Sequence, residues 1–95
     1  MNKAIQNIIN YIKEQIKLTT DNWIKKATYE EMLDVAKENL NKHKTIDNII
    51  DYIIQEMDKC KNNYIRQSTL KSIWFVCNNE LNAIGGKNED YKNIN

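Results

Sequence analysis

The sequence predicts an all-α fold: a tandem duplication of an αα-hairpin, with a period of 41 residues, forming a four-helix bundle with pseudo-two-fold symmetry. Three observations lead there. Residues 5–41 and 46–82 align without a gap and share 12 identities in 37 positions. Proline is absent and the two glycines are adjacent at Gly85–Gly86, so the first 84 residues hold no helix breaker. Apolar residues recur at helical spacing in both halves of each copy. A repeat of this length is one supersecondary unit whose apolar face needs the other copy. Two hairpins sharing one core bury that face better than two uncapped solenoid repeats stacked on each other.

The first half of copy one places Ile5, Ile8, Ile9, Ile12 and Ile16 on one helical stripe. Copy two repeats it as Ile46, Ile49, Ile50, Ile53 and Met57. The stripe continues through Thr19 to Trp23, and through Cys60 to Tyr64, which predicts one continuous helix of about 22 residues in each copy. The competing reading is a break near Thr19–Asn22, where Thr-Thr-Asp-Asn offers N-cap chemistry.

The second half of each copy is expected to open on a threonine. Thr28 and Glu31 have the spacing of a capping box, and Thr69 stands at the matching place with Ser72 for the glutamate. Tyr29, Met32, Leu33, Ala36 and Leu40 then repeat as Leu70, Ile73, Trp74, Cys77 and Leu81. Residues 41–44 link the copies. Repeat one spans about 3–43 and repeat two about 44–84 within a single domain over 1–86. Gly85–Gly86 is a C-terminal cap by composition, and the polar segment 87–95 is expected to fray.

Composition narrows the function classes. Net charge is +1. Residues 3–43 carry seven lysines against six acids, and residues 44–84 five basic residues against five acids. Neither copy has the basic stripe of a dedicated nucleic-acid binder or the polybasic segment of a membrane binder. No apolar run is long enough to span a bilayer and the N-terminus carries no signal-peptide pattern, so the expected location is cytoplasmic. Fifteen asparagines, fifteen isoleucines and thirteen lysines against one arginine read as AT-rich codon usage.

No catalytic set emerges. Cys60 and Cys77 fall at core phases without metal-ligand spacing, and the lone histidine, His43, lies in a polar link. Glu30 and Glu31 point about 100° apart on a helix, so they do not converge; with Asp47 and Asp51 they fit first-turn positions that favour the helix dipole. No cofactor or metal site is expected, and no enzyme activity.

The informative positions are those where the copies differ in polarity. Lys13 becomes Ile54, and Asp34 becomes Phe75. Phe75 lies about 140° from its helix's core stripe, so the shared core does not require it. It adjoins Trp74. An exposed aromatic there marks a partner or dimer site. Trp74, Phe75 and Ile54 are therefore the expected apolar centre, with Arg66, Lys71 and Asn78 as a polar rim. Tyr11 and Tyr52, identical between copies but about 120° off the stripes, fit a seam between the hairpins.

These features point to a small interaction protein acting stoichiometrically as regulator, inhibitor or adaptor of a protein partner. Its size and base composition fit a phage or mobile-element product. A homodimer would use the same face. The alternative is a helix-turn-helix-like DNA-binding regulator reading through the last helix, where Arg66, Gln67, Ser68 and Lys71 cluster. Nucleic acid is the weaker partner because the charge is balanced.

Overall fold

A computed structural model describes residues 2–84. The fold is all-α, with four helices: α1 (Lys3–Leu18), α2 (Trp23–Asn41), α3 (Ile46–Lys59) and α4 (Tyr64–Ile84). Residues 19–22, 42–45 and 60–63 join them. The most extensive packing is α1 on α2 and α3 on α4. Both α1 and α2 also pack on α4, and α3 touches α2 less broadly.

One core fills the space between the helices. Ile5, Ile8 and Ile12 from α1, Met32 and Ala36 from α2, Ile49 and Ile53 from α3, and Leu70, Ile73 and Cys77 from α4 are completely buried. Each large side chain among them contributes about 1.5–3 kcal/mol by leaving water. The isoleucine stripes of α1 and α3 thus do what their spacing predicts.

The helix boundaries correct the sequence reading. Neither copy has a continuous first helix: α1 ends at Leu18 and α3 at Lys59. Thr19 turns into extended backbone, and its Oγ1 donates to the Gln15 carbonyl at 2.7 Å. Asn22 then caps α2, its Oδ1 accepting from the Lys25 N–H at 3.1 Å. Asn63 does the same for α4, accepting from the Arg66 N–H at 3.1 Å. A side-chain oxygen beside free N–H groups outweighs an apolar phase that would have run on through a polar stretch.

The capping box at Thr28 is overturned for the same reason. Thr28 and Thr69 lie inside α2 and α4, buried, with their hydroxyls donating to the Ile24 and Ile65 carbonyls at 2.8 and 2.7 Å. Trp23 and Tyr64, expected at the ends of the core stripes, open the second helices instead and are 78% and 85% exposed. The proposed Gly85–Gly86 cap and the segment 87–95 lie outside the described residues.

α2 ends in a Schellman turn. The Lys44 N–H donates to the Asn39 carbonyl at 2.9 Å and the His43 N–H to the Leu40 carbonyl at 3.2 Å. His43 takes the left-handed conformation, φ 57°, a position that favours glycine.

Candidate functional site

The face shared by α3 and α4 carries a groove of about 500 Å³, lined by Ile54, Met57, Asp58, Lys61, Gln67, Lys71 and Trp74. The helical period explains the set. Gln67, Lys71 and Trp74 rise on one side of α4, and Ile54, Met57 and Asp58 on the facing side of α3. Ile54 is 52% exposed, an uncommon state for a large β-branched side chain beside other apolar groups. Trp74 is half-buried and rests on the core. Phe75 is outside the groove lining but adjoins it, 52% exposed, its ring edge-on to Trp74 at 5.2 Å between centroids.

Polar groups frame this surface unevenly. Asp58 and Lys61 pair with each other at 3.2 Å. Gln67 donates to the Met57 carbonyl and so ties α4 to the end of α3. Asn78 donates to the Trp74 carbonyl at 3.2 Å. Lys71 is exposed and also edges a shallower depression with Tyr64, Ile65 and Ser68. An apolar surface therefore continues along α4 from Trp74 toward Tyr64.

Of the six residues expected at the site, the structure brings Ile54, Trp74 and Lys71 together in the groove and sets Phe75 beside it. Asn78 lies one turn on, spent on the backbone. Arg66 does not join the rim. Its guanidinium sits in the seam between α2, α3 and α4, bonding Glu31 at 2.9 and 3.1 Å and Glu56 at 2.9 Å.

This seam also corrects the reading of Glu31. It is not a first-turn acid on a solvated face: α2 starts eight residues earlier, so Glu31 falls mid-helix and turns inward. The Tyr52 hydroxyl donates to its carboxylate. Partial burial acts to raise the Glu31 pKa, but the bonds from Arg66 and Tyr52 prevail and hold the carboxyl below its usual range. Burial and the neighbouring carboxylate push the Tyr52 hydroxyl up. The bond to Glu31 raises Arg66 further, keeping it charged.

The remaining titratable candidates lie apart from the groove. Cys77 is in the core, where burial pushes its thiol up to about 12, far from nucleophilic range. Cys60, expected at a core phase, is half-buried at the end of α3 and packs against the edge of the core. Among the described residues, no group of three His, Cys, Asp or Glu is placed to hold a metal, and no helix is long and apolar enough to cross a membrane.

Sequence reasoning missed two things. The exposed aromatics Trp23 and Tyr64 were hidden by the assumption of continuous helices; the asparagine one residue before each was the available signal. The seam was missed because Glu31, Glu56 and Arg66 are far apart in sequence. That Arg66 is the sole arginine among fourteen basic residues was a hint of a bidentate role.

The chain matches no protein-family model, no curated protein and no solved structure, so the class is defined by the bundle and its groove alone.

Proposed function

We propose that this chain is a small, non-enzymatic helical interaction protein that binds a protein partner stoichiometrically, as a regulator, inhibitor or adaptor, through the α3–α4 face. One observation carries the reading: Ile54 and Phe75, both half-exposed, flank Trp74 on one surface, and the aligned positions of the first copy are the polar Lys13 and Asp34. Apolar side chains kept in water at positions the fold can fill with charge are explained by a partner that covers them. A groove between two packed helices suits a third, amphipathic helix. Ile54, Trp74 and Phe75 would supply the contact, Lys71 and Asn78 its edge, and Arg66 would position α3 against α4.

Binding and self-association by Phe75→Asp and Ile54→Asp, with circular dichroism confirming the fold, test this. Loss of the partner supports the reading. Unchanged partner binding together with unchanged self-association overturns it. The DNA-binding alternative has less support, because Arg66 is engaged between the helices and Asn78 donates to the backbone of its own helix. A salt-sensitive mobility shift on duplex DNA at low ionic strength would revive it.

We also infer that the fold arose by tandem duplication and keeps a pseudo-two-fold relation between the hairpins. In support, α2 and α4 start 41 residues apart, at Trp23 and Tyr64, each after a capping asparagine. Seven position pairs are buried in both copies: Ile5/Ile46, Ile8/Ile49, Ile12/Ile53, Thr28/Thr69, Tyr29/Leu70, Met32/Ile73 and Ala36/Cys77.

A further inference from the structure

The second helices of the two copies present different outward faces. On α2 the exposed stripe runs Trp23, Ala27, Glu30, Asp34 and Glu38, with acids on three successive turns. On α4 the aligned residues are Tyr64, Ser68, Lys71, Phe75 and Asn79, also exposed. Every acid of the stripe is gone, and Lys71 is its single charge. The first helices change the other way. Gln6 and Asn10 of α1 align with Asp47 and Asp51 of α3, whose first two turns carry no base. Copy two therefore sets an acidic helix end beside a cationic helix, with Ile54, Met57 and Trp74 lining the groove between them.

A surface pairs with its own copy only when a two-fold rotation brings unlike features together. The α2 stripe fails this condition. Turned antiparallel about Asp34, it sets Glu30 of one copy against Glu38 of the other, and like charges repel. The α4 stripe meets it. Turned antiparallel about Phe75, it sets Lys71 of one copy against Asn79 of the other, on the side where α3 carries Asp47 and Asp51. Shape follows the same rule. Phe75 is 52% exposed beside a groove of about 500 Å³. A projecting ring next to a recess becomes two ring-in-recess contacts when two copies meet face to face.

We propose that a second copy of this chain occupies the α3–α4 face. The dimer is antiparallel and two-fold, with the Phe75 ring of each copy seated over Ile54, Met57 and Trp74 of the other. Area sets its strength. α4 has 21 residues and α3 has 14. The face they make measures about 30 Å by about 20 Å, roughly 600 Å² per copy. That is the small end of specific interfaces, which suits a reversible micromolar dimer rather than a permanent one. Such a dimer regulates the site proposed above, because a partner helix must displace the second copy from the same groove. This regulation rests on that reading; the dimer does not.

The test is the mass of the full chain in solution, by sedimentation equilibrium from about 1 µM to about 1 mM. Wild type is expected to pass from monomer to dimer across this range. Phe75→Asp and Lys71→Glu, shown folded by circular dichroism, each raise the dissociation constant about tenfold or more. Asp34→Asn, on the corresponding face of α2, leaves it unchanged. A monomer throughout overturns the proposal, and so does a dimer that both α4 variants leave intact. If Phe75→Asp does not fold, wild-type amide shifts on dilution decide: changes centred on α3 and α4 support the dimer, and changes centred on α1 and α2 overturn it. The partner reading fails separately, when the chain dimerises but retains no protein from its host.

Discussion

Arg66 on α4 grips Glu31 on α2 with both terminal nitrogens, Nη1 to Oε1 at 2.9 Å and Nη2 to Oε2 at 3.1 Å. The same guanidinium reaches Glu56 on α3 at 2.9 Å, so one side chain joins three helices and both hairpins. Only a planar fork serves two carboxylates this way. Arg66→Lys keeps the charge and loses the geometry. It is expected to cost about 1–2 kcal/mol, discounted because the partners are partly exposed. Urea unfolding of the two proteins measures it.

Acid should release this latch. The Glu31 carboxyl is held below its ordinary value of 4.5, so near that pH the folded state binds fewer protons than the unfolded one. The contribution is complete above the ordinary value and is lost as pH falls through the lowered one. Wild type should therefore lose stability more steeply than Glu31→Gln on acidification below about pH 4.5, and the gap between them should narrow at the lowest pH. Thermal melts across this range provide the comparison.

The broken helices make their own prediction. Asn22→Ala and Asn63→Ala each remove an N-cap acceptor and should each destabilise by about 0.5–2 kcal/mol. In a continuous helix either asparagine would be an interior polar residue, and alanine there would stabilise. The sign of the change in Tm separates the two cases.

How much of this was legible in the sequence follows from which forces are local. Ile5, Ile8 and Ile12 announced α1's buried face because a stripe of isoleucines has one physical use, and Ile49 and Ile53 repeated the message. In the sequence, the cap at Asn22 competes with an apolar phase that runs on to Trp23. Phase counts only residues that share a helix axis, and capping ended the axis at Leu18. At the candidate site, Ile54 and Phe75 stood out by comparison with Lys13 and Asp34. The fate of Arg66 was not readable, since its partners lie 35 and 10 residues away on other helices.

Two isoleucines on α3 should behave in opposite ways. Ile49 is completely buried, and Ile49→Ala is expected to cost about 2–5 kcal/mol through lost transfer energy and a cavity. Ile54 is half-exposed, and Ile54→Ala should stay within about 0.5 kcal/mol of wild type while weakening the partner complex. Chemical denaturation gives the first difference and titration with the partner the second.

The central claim, that the α3–α4 face is kept apolar for a protein partner, is tested most directly by affinity purification from the native host. Tagged wild type, Ile54→Asp and Phe75→Asp would be compared side by side, each shown to be folded and each weighed in solution. The account predicts a protein retained in stoichiometric amount by wild type and lost from both variants. Equal retention by all three, with an unchanged mass in solution, would contradict it.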